Sequence, residues 1–206
     1  MIDKVQTNDT IAAVATAAGR GAIGIVRLSG PEALAIAARL FAGARDPREM
    51  RGGSFAHGWI ERDGRRLDEA LCLVMRAPAS YTGEDVVEFH CHGGPVPLGV
   101  VLAAALAEGA RPAHPGEFTR RAFLSGRIDL AQAEAVLAVI RAQSEGELLA
   151  AEARLEGAAS RETFALQSRL ASLRAEAEAA LDFSDQDVNV AERDALVERL
   201  RRARRV

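Results

Sequence analysis

All seven prolines of this 206-residue chain stand before residue 126, and beyond that point glycine is scarce while Ala, Leu, Glu and Arg run to the end. Proline fixes φ and removes a backbone donor, and glycine loosens the chain, so both punctuate strands and turns and are costly inside helices. A stretch nearly free of them and rich in strong helix formers is confined to helices. The shift therefore predicts two parts: an α+β domain over residues 1–126 and an all-α domain over 127–206.

Within the first part, strands are expected near 10–16 and 22–29, followed by a helix from Pro31. "SFAHGWIERDGRRLDEALCLVMRAP" forms two strands around the turn signal Asp63-Gly64. "GEDVVEFHCH" is a further strand, "PVPLGVVLAAALAEGA" a helix and "GEFTRRAFLSG" a short helix. In the second part, Asp129 with Gln132 has capping-box spacing and opens one helical segment, "DLAQAEAVLAVIRAQSEGELLAAEARLEG". Leu130, Ala133, Leu137, Ile140 and Leu148 form its core stripe. Another helix runs from about Ser160 through Phe164, Leu170, Leu173, Ala177 and Leu181, and a third starts near Asn189. Residues 191–206 carry six arginines against three acids, which suits a solvated helix face or a nucleic-acid arm.

Several function classes are disfavoured. A net charge of −3 argues against a protein that coats nucleic acid generally. There is no leader-like start and no apolar run near twenty residues, so no membrane span and a cytoplasmic location are expected. Two cysteines, Cys72 and Cys91, make no disulfide framework. Lys4 is the sole lysine, so the P-loop pattern G-x-x-x-x-G-K-[ST] is missing and this chain alone is not expected to hydrolyse a nucleoside triphosphate.

The string "GRGAIGIVRLSG" contains Gly19, Gly21 and Gly24 in the order G-x-G-x-x-G. That spacing holds a dinucleotide only where the turn opens a helix. Here the β-branched run that follows predicts strand, glycine turn, strand. In "DVVEFHCH", alternation puts Glu88, His90 and His92 on one face and Val87, Phe89 and Cys91 on the other. A metal site of Glu88 and the two histidines has no second cluster to complete it, and no metal is expected. Gly93-Gly94 before a helix suits close approach of an anion or simply a tight turn. Arg27 and Glu88 are charges within strands, which form either a surface ion pair or a polar ligand pocket. The residues by themselves yield a possible anion or polar-heterocycle site and name no ligand.

"DTIAAVATAAGRGAIGIVRLSG", "YTGEDVVEFHCHGGP", "RPAHPGEFTRRAFLSGRIDLAQAEAV" and "EAALDFSDQDV" resemble, in order and spacing, the N-terminal portion of the tRNA-modification GTPase family MnmE, also called TrmE; the likeness covers roughly residues 8–188. The resemblance implies an N-terminal domain similar to the folate-binding domain of glycine-cleavage T-protein, a helical domain, and a Ras-like G domain inserted in the latter. It implies a homodimer formed through the N-terminal domains that binds 5-formyltetrahydrofolate or another tetrahydrofolate derivative. It further implies a partner, the FAD protein MnmG (GidA), with which the family installs a carboxymethylaminomethyl or aminomethyl group at C5 of the wobble uridine of certain tRNAs. GTP hydrolysis, with magnesium and potassium, belongs to the G domain.

Carried over residue by residue, the folate-contacting positions fall on Arg27 of "GIVR", on Glu88 four residues before "HGG", and on Arg127 of "SGRIDLAQAE". His92, Gly93 and Gly94 are supporting candidates, and no catalytic residue is assigned to this chain. Relatives often carry lysine where Arg127 stands, so a forked donor replaces a point charge. The usual Pro-Pro before "GRG" is Ala17-Ala18. Val206 falls about where the G domain would start, and the expectation is part of a longer protein. Two other classes stay open: a T-protein-type aminomethyltransferase and a non-enzymatic RNA-binding scaffold using the arginine-rich end.

Overall fold

Strand-type runs punctuated by turn residues give way to long helical runs, and the elements follow that change in the computed structural model, which describes residues 8–182 and 197–198. They are β1 (Ile11–Val14), β2 (Ile23–Ser29), α1 (Ala33–Leu40), β3 (Phe41–Gly43), β4 (Ser54–Arg62), β5 (Arg65–Met75), β6 (Val86–His92), α2 (Pro95–Ala107), β7 (Arg111–Pro112), α3 (Glu117–Leu124), α4 (Leu130–Arg141), α5 (Glu145–Leu155) and α6 (Ala158–Asp182). The chain divides between Ile128 and Asp129 into two units.

In the first unit the strands form one mixed sheet in the order β3-β4-β5-β6-β2-β1-β7. Every pairing is antiparallel except β1 with β7. Asp63 and Gly64, with φ of 53° and 73°, supply the left-handed pair that a tight turn between β4 and β5 requires. The very short β3 and β7 have no strand signal of their own, and neighbouring strands recruit them.

One face of the sheet is the core. Val26 and Leu28 of β2, Cys72 and Val74 of β5, and Val87, Phe89 and Cys91 of β6 are buried with Leu34, Ile36 and Leu40 of α1 and Leu98 and Val101 of α2. The alternation in β6 thus puts Cys91 inside. Burial pushes the thiols of both Cys72 and Cys91 up to about 12, which keeps them protonated packing groups.

The glycine string leads from β1 into β2, which pair antiparallel. No helix N-terminus follows Gly24, which lies within β2 against Leu98. The Gly21 amide donates to Gly93 O at 2.8 Å, and the Gly93 amide donates to Ala22 O at 3.2 Å. A Cβ on Gly93 would stand 2.6–2.7 Å from backbone atoms of Gly21 and Ile23. The close approach these glycines permit is therefore between two turns of the chain.

A charge cluster centred on buried Arg121 and Glu117 ties the segment before β1 to α3. Arg121, with a side chain only 2% exposed, bonds the Asp9 carboxylate (2.7 Å), the Asp9 carbonyl (2.9 Å), Glu84 (3.1 Å) and Glu117 (3.2 Å). Arg111 adds bonds to Glu117 (2.6 Å) and Asp9 (2.7 Å). The Arg111 hydrogen bond, helped by the His114 amide and Arg121, holds the Glu117 carboxyl at about 2 despite its burial.

The second unit corrects the sequence reading twice. The single helical segment expected after Asp129 is broken into α4 and α5: Ala142 turns extended, Ser144 caps the new helix through Glu147 N, and the Glu147 carboxylate takes the Gln143 amide. A serine-and-acid N-terminal signal outcompetes helix continuation there. The first segment does start on the expected capping box of Asp129 and Gln132. The apolar stripe is the second correction, because Leu130, Leu137 and Ile140 are exposed and, among the described residues, the buried positions of α4, α5 and α6 are Ala135, Ala151 and Leu173. Helical spacing fixes which residues share a face but not what covers it. The helix expected from Asn189 and most of the arginine-rich end lie outside the described residues. No helix among the described residues is long and apolar enough to cross a membrane.

Candidate functional site

Arg27 and Glu88 occupy directly opposed positions on β2 and β6. Opposed residues of an antiparallel pair point to the same face, and the Arg27 Nε donates to Glu88 Oε1 at 2.6 Å. Glu88 is buried, its side chain 8% exposed, whereas that of Arg27 is 25% exposed. The Nη1 and Nη2 groups of Arg27 form no hydrogen bond to the described residues, so the pair leaves forked donors toward solvent. His90, two positions on and on the same face, donates from Nε2 to Glu88 Oε2 at 3.1 Å.

Aromatic rings frame this pair. The guanidinium carbon of Arg27 lies 5.7 Å from the Tyr81 ring centroid and 5.5 Å from that of Phe118. Arg127 reaches the same Tyr81 ring, at 5.5 Å. These distances are within cation–π range. Tyr81 comes from the loop between β5 and β6, Phe118 from α3, and Arg127 from the turn after Gly126, whose φ is 75°. Arg127 itself is exposed and makes no side-chain hydrogen bond to the described residues. Arg27, Glu88 and Arg127 are thus brought to one place around a ring that the motif reading did not single out.

The supporting trio behaves differently. His92 hands its backbone amide (2.8 Å) and Nδ1 (2.6 Å) to the Asp68 carboxylate, which raises its pKa, and Gly93 packs on the glycine turn. Gly94 caps α2 with Pro95 after it and contributes no side chain. Glu88, His90 and His92 therefore do not converge: one carboxylate joins Arg27 to His90, and another holds His92. Among the described residues no group of three or more His, Cys, Asp or Glu is placed to hold a metal.

A cavity of about 680 Å³ lies beyond the Tyr81 loop, between Gly30-Pro31, Ala77-Pro78 and the end of α3 near Arg121; Arg127 lines it, and Arg27 and Glu88 do not. The open face of the sheet around the pair also carries exposed apolar side chains, Ile23 on β2, Phe55 on β4 and Leu71 on β5, which the strand register places on the Arg27 side.

Comparison with known proteins matches each unit. Residues 10–127 fit the family model described as GTP-binding protein TrmE N-terminus, and residues 130–205 fit the MnmE helical domain. The chain is 52% identical over 193 residues to a tRNA modification GTPase MnmE of Thermus thermophilus, covering 92% of this chain and 44% of that protein. It is 50% identical over 190 residues to MnmE of Symbiobacterium thermophilum, covering 90% and 41%. For MnmE of Geobacter sulfurreducens the identity is 46% over 197 residues, covering 95% and 43%. The chain spans less than half the length of these curated relatives. With a family model on each unit and about half its residues shared with such relatives, the chain belongs to the MnmE (TrmE) family and matches its N-terminal part.

Proposed function

We propose that residues 1–126 are a folate-binding and dimerising module, similar in fold to the folate-binding domain of glycine-cleavage T-protein, within a tRNA-modification GTPase, with Arg127 next to it contributing to the site. The observation that carries this reading is the Arg27–Glu88 pair on an open sheet face, with the Nη groups of Arg27 and the whole guanidinium of Arg127 left available beside Tyr81. A pterin edge offers adjacent N–H donors to the remaining lone pairs of Glu88. Forked guanidiniums suit its carbonyl, a formyl oxygen or the carboxylates of a glutamate tail. The ligand class is 5-formyltetrahydrofolate or another tetrahydrofolate derivative.

Titration calorimetry of the 206-residue chain with 5-formyltetrahydrofolate tests the reading. Removing one hydrogen-bonded charge from such a site costs on the order of 1.5–3 kcal/mol, so Arg27→Ala and Glu88→Ala are each expected to weaken binding at least tenfold. Undiminished affinity in both overturns the site. Dimerisation through the same sheet face is supported by the exposed Ile23, Phe55 and Leu71. Sedimentation is expected to give a dimer that Phe55→Glu dissociates, and a monomeric unaltered chain overturns it.

In the longer protein the reading extends to a cytoplasmic enzyme that works with the FAD protein MnmG (GidA) on C5 of the wobble uridine of tRNA. GTP, magnesium and potassium would be handled by a G domain.

A further inference from the structure

The Tyr81 ring reaches both arginines of the site. Its hydroxyl is hydrogen-bonded with Thr119 Oγ1 of α3 at 2.9 Å. The next side chain is held as well, since the buried Thr82 hydroxyl shares a 2.7 Å hydrogen bond with the Ser29 hydroxyl, which donates to the Glu84 carboxylate at 2.6 Å. A ring so fixed is a rigid wall between a strand and a turn. Arg27 has Glu88 and Phe118 as further partners. Arg127 follows a left-handed glycine and has the Tyr81 ring as its side-chain partner among the described residues.

Two like charges repel, and an exposed arginine explores many rotamers unless something holds it. The electron-rich face of one phenol attracts both guanidiniums and lowers each cost. We propose that Tyr81 is a positioning residue that pre-orders Arg27 and Arg127 for an acceptor-rich anionic ligand, an inference that rests on the folate reading above. Ordering before binding raises affinity because the entropy cost is already met in the free protein.

Two cation–π contacts correspond to a roughly 5- to 30-fold loss of affinity. That is the expected effect of Tyr81→Leu on 5-formyltetrahydrofolate binding by calorimetry. Tyr81→Phe keeps the ring and is expected to stay within about threefold of the unaltered chain. In an Arg127→Ala background, Tyr81→Leu should lose the part of its effect that acts through Arg127 and keep the part that acts through Arg27, a non-additivity that general loosening of the fold does not produce. Tyr81 is the only tyrosine, so selective ring labelling reports on it directly by NMR without ligand; its signal should move in Arg127→Ala. A binding chain whose affinity Tyr81→Leu leaves unchanged, an additive cycle, or a ring signal indifferent to Arg127→Ala each overturns the role of Tyr81 and leaves the folate reading standing. An unaltered chain that binds no folate overturns the folate reading and, with it, this one.

Discussion

Residues 8–128 hold ion pairs that reach far along the chain beside local ones such as Arg48–Asp46 and Arg121–Glu117, whereas an ion pair within residues 129–182, Arg174–Glu178, spans a single turn of helix. Arg121 reaches back 112 positions to Asp9, and Arg27 meets Glu88 across 61. Asp129 caps onto Gln132, Ser144 onto Glu147, and Arg174 pairs with Glu178. A sheet delivers distant charges to one enclosed place, where each must be matched because an unmatched one is costly to bury. Helical caps act at the surface, where water competes for the same groups. The unit with long-range pairs is thus the one able to fix a charged site, and it is also the more exposed to single substitutions.

Breaking the long-range cluster is expected to have the largest effect. Arg121→Met removes the buried cation shared by Asp9, Glu84 and Glu117, leaves Arg111 on Asp9 and Glu117, and should cost about 3 kcal/mol. Urea unfolding followed by the single tryptophan, Trp59 on β4, measures this in the first unit, and an unchanged midpoint would refute the assignment. The same cluster has an acid signature. The folded Glu117 carboxyl sits at about 2 against an ordinary 4.5, so its stabilisation is complete above the ordinary value and declines as pH falls from 4.5 through 2. Glu117→Gln should flatten stability across that window; a profile identical to that of the unaltered chain would show that other carboxylates set it.

Glycine sharpens the contrast because the same change should have opposite signs in the two units. Gly93→Ala forces a Cβ onto the backbone of Gly21 and Ile23 and should destabilise by about 1–3 kcal/mol. Gly146→Ala meets nothing within 4 Å in α5 and should gain about 0.5–1 kcal/mol. Thermal melts of both variants decide it, and a loss for Gly146→Ala would contradict the local picture of the helices. Between these in size, Asp129→Ala removes a capping box and should cost about 1 kcal/mol, seen as reduced helical circular dichroism. A loss of several kcal/mol would mean that the cap holds more than its own helix.

Much of the site was legible residue by residue. Arg27 and Glu88 stand out as charges inside strands, and alternation put His90 beside Glu88. Their direct opposition was not legible, because register depends on which strands become neighbours and a slip of one residue turns a side chain to the other face. Tyr81 and Phe118 were missed. Tyr81 lies among small turn formers, where its being the chain's sole tyrosine was the available signal. Arg121 shares its short helix with Arg120, and only packing decides that Arg121 is buried and Arg120 exposed.

Local chemistry, acting over a turn or a few residues, therefore determined the mixed first part, the helical second part, the hairpin at Asp63-Gly64, the buried side of β6 and the cap at Asp129. Tertiary structure alone decided the strand order, the recruitment of β3 and β7, the exposure of the α4 stripe and the role of the glycine string. It also decided the gathering of Arg27, Glu88, Tyr81 and Arg127. Hydrogen-bonding and apolar propensities are properties of a segment, whereas the partner that satisfies a buried charge is a property of the whole packed sheet.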